Sequence, residues 1–217
     1  MGRTPAFCGV ILAAGESSRM GRDKALLPWP PSAAGSLTTD TFLSAAIRLF
    51  FSHVDVVLVV VGKNEAALAP IVYANGASLV VNPEPERGQF SSLQVGLQEI
   101  LSRGRDAAMI TLVDRPPVQA ATLATLESAF ERAITKTQRK WAAIPEYRGK
   151  HGHPMLAARE MMEAFLRAPA TSSARDVEHA HQSEIEYVPV DDPLVAVNVD
   201  TPEQYAALPP PQLLPSS

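Results

Sequence analysis

Short apolar runs rich in β-branched residues alternate with amphipathic stretches through the first 135 residues, and that alternation constrains the fold more than any other feature. Phe7 to Ala14, Val54 to Val61, Ala77 to Val81 and Asp106 to Leu112 read as strands. The segments between them read as helices: from an N-cap at Thr39 or Asp40 through Leu49, from Asn64 to about Ala74, from Ser91 or Ser92 to about Leu101, and from Gln119 to Ala133 behind Pro116 and Pro117. Val54 to Val61 is nearly all β-branched, as expected of a strand covered on both faces. Four strand–helix alternations predict an α/β fold with a mostly parallel sheet and helices on both sides, a three-layer α/β/α sandwich. Such sheets bind ligands beyond the carboxyl ends of their strands. Gly15, Asn82 and Asp114 each follow a predicted strand, so they are expected on one rim.

Beyond Lys140 the pattern becomes irregular. Trp141 to Pro145 suits a strand, and the turn-rich Y-R-G-K-H-G-H-P follows it. Helices are expected over Ala157 to Arg167 and Ser172 to Ala180, and strands over Ile185 to Pro189 and Leu194 to Val197. The Pro-rich stretch 209–217 reads as a disordered tail.

The loop after the first strand holds Gly15, Gly21, Ser17 and Ser18, with Arg19, Arg22 and Lys24 as cations. Amide hydrogens and cations can converge there on a polyphosphate without a bulky side chain in the way. Composition alone leaves a second reading open, a βα turn whose basic residues are simply solvated. Spacing excludes a P-loop, because Gly21 is followed by Arg22, Asp23 and Lys24 and not by Lys-Ser or Lys-Thr. A dinucleotide fingerprint is excluded too, since the loop lacks G-x-G-x-x-G.

The 217-residue chain is 46% hydrophobic and carries a net charge of −4, which suits one folded domain with a sizeable core. No global basic field exists to attract nucleic acid or an anionic membrane, so any anion must be held by local cations and a metal. The longest aliphatic run, Val56 to Val61, falls far short of the ~20 residues of a membrane span. The first residues lack a long apolar h-region, and Cys8 is the single cysteine. A cytoplasmic protein without disulfides is the expectation.

From Leu12 to Pro28 the chain matches, without a gap, the signature L-A-A-G-x-S-x-R-M-G-x-x-K-x-L-L-P. It thereby resembles the MobA-like nucleotidyltransferases, and within them the molybdenum cofactor cytidylyltransferases, which join a CMP unit to molybdopterin. The resemblance implies a Rossmann-like sheet of the nucleotide-diphospho-sugar transferase type. It also implies one domain over residues 1–208, its nucleotide-binding part about 1–135 and its acceptor side about 136–208.

Asp114 is the first metal candidate, a carboxylate directly after a strand that can hold Mg²⁺ against a triphosphate or, alternatively, cap the next helix. The resemblance assigns it the metal position of V-D-R-P-P-V, and Arg115, where relatives carry Gln or Met, is expected to face solvent. In N-V-D-T-P-E, Thr201 and Pro202 suit a helix start. Resemblance makes Asp200 the second metal ligand, with Asn198 as the substitute. It places Leu12, Ala13, Ala14, Gly15, Glu16, Ser17, Ser18, Arg19 and Lys24 around the nucleotide, Arg19, Lys24 and Asp114 being catalytic. Asn82, Gly88, Ser91 and Ser92 are assigned to the base side. The Ala13-Ala14 pair resembles cytidylyl-transferring members, whereas guanylyl-transferring relatives carry A-G-G; a methyl group narrows the slot and favours the smaller ring.

On chemistry alone, His151 and His153 read as ordinary surface histidines of a turn, and no acidic or cysteine partner at ligand spacing supports zinc. The resemblance places His153 toward the acceptor. The implied reaction is Mg²⁺-dependent transfer of CMP from CTP to molybdopterin with release of pyrophosphate, serving a molybdenum hydroxylase client. The alternatives are a related enzyme using GTP or a sugar-phosphate acceptor, and a non-catalytic protein that delivers cofactor to such a hydroxylase.

Overall fold

The structure is a computed structural model that describes residues 7–17, 20–31 and 40–208. Its strands are β1 (Phe7–Leu12), β2 (Val57–Val61), β3 (Ser78–Val81), β4 (Ala107–Leu112), β5 (Ala142–Tyr147), β6 (Lys150–His151), β7 (Met155–Ala158) and β8 (Ile185–Pro189). The helices are α1 (Phe42–Phe51), α2 (Glu65–Ala74), α3 (Gln89–Ser102), α4 (Ala120–Ile134), α5 (Arg159–Arg167), α6 (Ala174–Ala180) and α7 (Pro202–Ala206). The sheet runs β3-β2-β1-β4-β7-β5-β6, with β8 added to β5. Strands β1 to β4 are mutually parallel, as the alternation requires, and β8 is parallel to β5. β7 enters antiparallel between β4 and β5.

The pleat sends alternate residues to opposite layers. Ile11, Val59 and Met109 join α1, α2 and α4 in one core, while Val10, Val60 and Ile110 join α3 and α5 in the other. Burial on both faces explains why these strands read as continuous apolar runs. A third, smaller cluster forms at the carboxyl-end rim, where Met20, Leu27, Trp29 and Phe42 meet Val199 and Leu208.

Several local expectations are corrected. Thr41 caps α1 through a capping box with Ser44, displacing Asp40; Thr39 lies outside the described residues. α3 begins at Gln89 behind Gly88, ahead of Ser91 and Ser92, because the positive φ of 92° at Gly88 turns the chain sooner. Ala157 and Ala158 belong to β7, not to α5. Met-Leu-Ala-Ala has helix-forming propensity, but pairing with β4 on one side and β5 on the other overrides it. Leu194 to Val197 is no strand: Pro193–Ala196 forms a 3-10 turn, with the Asp192 carboxylate accepting from the Leu194 amide. The stretch 209–217, expected to be disordered, lies outside the described residues.

That same Asp192 is 1% exposed, and its second oxygen accepts from the Gln119 amide and the Thr122 hydroxyl, each at 2.8 Å. It therefore ties the start of α4, where Gln119 makes no side-chain cap, to the turn at Pro193–Ala196. Asp192→Ala leaves those donors without a partner and is expected to cost on the order of 3 kcal/mol, read as a lower denaturation midpoint at unchanged m-value.

Candidate active site

The loop after β1 is held from below by a side chain from another strand–helix junction. Asn64 donates to the Ala13 carbonyl at 2.8 Å and to Asp23 Oδ2 at 2.7 Å, and its own carbonyl accepts from Gly62 N at 3.1 Å. It makes no side-chain cap to α2, the role its sequence position suggests. Asp23 in turn caps the 3-10 turn that opens at Lys24, accepting from Ala25 N at 2.9 Å. Ser17, at φ 50°, accepts from the Lys24 amide at 3.1 Å. These contacts fix both the backbone entry and the direction of Lys24.

Lys24 is 8% exposed, and its ammonium lies 2.7 Å from Asp200 Oδ1 and 3.6 Å from Asp114 Oδ2. Asp114 reaches this point from the end of β4 and Asp200 from the segment before α7, so the three residues expected around one cleft do converge. Burial raises the Asp114 carboxyl above its usual range and Asp200 pushes the same way, while Lys24 and Arg115 pull it down. Asn198 donates to Asp200 Oδ2 at 2.5 Å. Both candidates for the second ligand therefore stand at the site.

The donor set fits a hard divalent cation. Asp114 Oδ1 and Asn198 Oδ1 are buried oxygens without a hydrogen-bond partner, beside the Asp200 carboxylate. Oxygen-only ligation of this kind suits Mg²⁺. No cluster of three or more acidic, histidine or cysteine side chains that could hold a metal occurs among the described residues. Such an ion would complete its shell with phosphate oxygens and water.

Arg115 departs from the expectation of a solvent-facing side chain. Its guanidinium donates to the Val197 carbonyl at 3.0 Å, and the backbone answers with Val199 N to Asp114 O at 2.9 Å. Together they stitch the segment bearing Asp200 to the one bearing Asp114. Only the backbone half of this clasp is independent of residue type, so a lone Arg after D gave no signal of it.

Three adjoining cavities open on the rim. One of about 150 Å³ is lined by Gly15, Ser17, Lys24 and Asp114. A second of about 130 Å³ is lined by Ala14, Gly15, Pro85, Gly88 and Ser92. A third of about 310 Å³ is walled mainly by apolar side chains and includes His153. Leu12 and Gln89 line all three. Gln89 was absent from the sequence-based set; its signal was its place as the first residue of α3 after a glycine.

The remaining candidates divide. Asn82 and Ser91 are buried and bonded to each other at 2.9 Å, and Asn82 also donates to Ser92 at 2.9 Å, so they support the second cavity from behind. Ala13 is buried below the loop, leaving Ala14 as the methyl that faces the second cavity. Glu16 is exposed and pairs with Lys63 at 3.2 Å. Ser18 and Arg19 lie outside the described residues. His153 is half-buried and not an ordinary surface histidine: it lines the third cavity, its Nδ1 is buried without a hydrogen-bond partner among the described residues, and burial depresses its pKa to about 4. His151 is exposed and stacks on Tyr187 with ring centroids 3.9 Å apart. Among the described residues no helix is long and apolar enough to cross a membrane.

The sequence and the fold resemble those of known proteins. The chain is 37% identical over 131 residues to the purine catabolism protein PucB of Bacillus subtilis, a match spanning 57% of this chain and 60% of that protein. It is 24% identical over 199 residues to the molybdenum cofactor cytidylyltransferase of Escherichia coli, covering 90% of this chain and 92% of the relative. The crystal structure of Rv0371c from Mycobacterium tuberculosis superposes with a TM-score of 0.75 at 25% identity, covering 94% of this chain and 97% of that one. The profile described as the MobA-like NTP transferase domain matches residues 9–185, and the chain belongs to that family.

Proposed function

We propose that this chain transfers CMP from CTP to a molybdopterin-type acceptor, using Mg²⁺ and releasing pyrophosphate. The observation that carries this reading is the meeting of Lys24 with Asp114 and Asp200, at 3.6 and 2.7 Å, in a cavity floored by the loop after β1. A terminal phosphate oxygen of the acceptor attacks the α-phosphorus; the new P–O bond forms as the bond to the β-phosphate oxygen breaks. Lys24 and the amides near Gly15 hold the triphosphate, and Ser17 keeps the lysine backbone in register. Asp114 and Asp200, assisted by Asn198, would hold the metal. Bound there, it supplies charge neutralisation at the α-phosphate and the leaving group. The phosphate nucleophile is already ionised at neutral pH, so no general base is required.

The 130 Å³ cavity supports a pyrimidine. The Ala14 methyl, the Gly88 backbone and the Ser92 hydroxyl border it, and the first of these takes up space that a larger ring would need. The cytidylyltransferase relative supports the same choice.

The decisive assay is pyrophosphate release from each of the four nucleoside triphosphates with Mg²⁺ and molybdopterin; CTP should lead, and equal or greater release with GTP would reject the base assignment. Ala14→Gly should shift the CTP-to-GTP ratio of kcat/KM toward GTP by about tenfold or more. Asp114→Ala should reduce kcat by about 10²–10³-fold. If that variant retained activity, or if the wild type only bound cofactor without releasing pyrophosphate, a delivery protein would be the better description. Arg115→Met should raise the Mg²⁺ concentration needed for half-maximal rate while leaving KM for CTP near wild type. A change in CTP binding with no change in the metal requirement would refute the clasp's role.

A further inference from the structure

The 310 Å³ cavity is distinct in character from the phosphate end of the cleft. Phe90 and Leu93 of α3, Ile110 of β4, Met155 of β7 and Phe165 of α5 wall it with apolar surface. Glu178 of α6 is the one acidic residue among its described lining residues. No hydrogen bond or ion pair joins that carboxyl to any described residue, although the charge of nearby Arg175 acts on it. Burial pushes Glu178 up to about 7, against the pull of Arg175. His153 lines the cavity too, alongside Arg87, Gln89, Ser172 and Ser173, and its buried Nδ1 lacks a hydrogen-bond partner among the described residues. The ring is neutral at physiological pH, since its pKa lies near 4, and it approaches the Ile110 carbonyl. A proton held toward that carbonyl leaves Nδ1 as an acceptor.

A largely apolar slot with an unmatched carboxyl, an acceptor once ionised, and an unmatched imidazole nitrogen is complementary to one kind of ligand. Flat, apolar faces suit the walls, and N–H groups on the ring edge suit the carboxylate and the imidazole nitrogen. A buried acceptor left unmatched carries a desolvation cost that such a ligand would relieve. The cavity joins the phosphate end through Leu12, Gln89 and Leu112, which line both. A molecule with a phosphate at one end and a heterocycle at the other would therefore bridge the two.

We propose that Glu178 and His153 read the edge of an aminopyrimidinone-type ring on the acceptor substrate, Glu178 accepting from its exocyclic amino group. This assignment rests on the acceptor being a pterin-bearing phosphate, as proposed above. It makes Glu178 a specificity-determining residue for the acceptor, remote from the bonds that form and break.

The test uses the full chain and free rings without a phosphate, so that it is independent of turnover. Binding of pterin and of lumazine, its analogue with oxygen in place of the amino group, is measured by fluorescence titration. The wild type should prefer pterin, and Glu178→Gln should weaken pterin binding by about tenfold or more while leaving lumazine little changed. In the transfer assay the same variant should raise KM for molybdopterin, with KM for CTP and kcat retained. Glu178→Asp should recover part of the preference, and thermal unfolding of both variants should match the wild type. Leu93→Trp, which fills the slot, should abolish ring binding. Equal binding of the two rings by the wild type would overturn the proposal, as would an unchanged preference in Glu178→Gln. Absence of pyrophosphate release by a wild type that still discriminates the rings would count against the transferase reading alone.

Discussion

The contact between Lys24 and Asp200 crosses 176 residues of chain and joins the two ends of the site. Neither residue belongs to the sheet. Their approach depends on the small third cluster, in which Met20, Leu27 and Trp29 from the loop after β1 pack with Val199 and Leu208 from the far end. The Tyr205 hydroxyl adds a hydrogen bond to the Pro28 carbonyl at 2.7 Å, and its ring lies 6.0 Å from that of Phe42. Apolar packing thus sets the distance, and the charges use it. An ion pair so little exposed gains little stability over apolar residues of the same shape, because desolvating both partners offsets their attraction. Removing one partner is far worse, since it strands a buried charge. Lys24 and the two carboxylates beside it are therefore interdependent.

The arrangement also explains why the antiparallel strand sits where it does. β7 brings the chain back along β4, so the segment preceding it, with His153, ends beside the carboxyl end of β4. Gly152 is pressed against Val195; a Cβ there would stand 1.9 Å from its carbonyl oxygen, and His153 N donates to that same oxygen at 3.0 Å. The 3-10 turn at Pro193–Ala196 is held on its other side by Asp192. From this anchored turn the chain runs directly through Val197, clasped by Arg115, to Asp200. A glycine forced by close approach, a buried aspartate and an arginine therefore fix one carboxylate.

Local chemistry made much of this legible beforehand. The parallel half announced itself through β-branched runs and the glycine turn after β1, because those signals are contained within a few residues. The capping of α7 by Thr201, with Pro202 first in the helix, was legible for the same reason. What escaped was decided by residues far apart. Met155–Ala158 carries no strand propensity and becomes a strand only by filling the space between β4 and β5. Asn64 and Asp192 sit where a helix cap or a loop polar residue is ordinary, and their actual partners come from other elements. Arg115 is the same case with the opposite sign, an expected surface cation drawn inward by a carbonyl 82 positions later. The residues of the site were legible as types, then, while the framework that aims them was not.

The geometry of the cleft bears on where chemistry could occur within it. Leu12 and Gln89 border the phosphate, base-side and apolar cavities alike, so these three spaces share a single junction. In the proposed reaction the α-phosphate is the atom group common to all parties: it carries the nucleoside on one side, the leaving pyrophosphate on another, and receives the acceptor. It belongs at that junction by connectivity alone. Gln89, at the first turn of α3, can present its amide there alongside unpaired backbone N–H groups of the helix start. A neutral donor at this point suits a phosphate whose negative charge is redistributed and not created as the bond exchange proceeds.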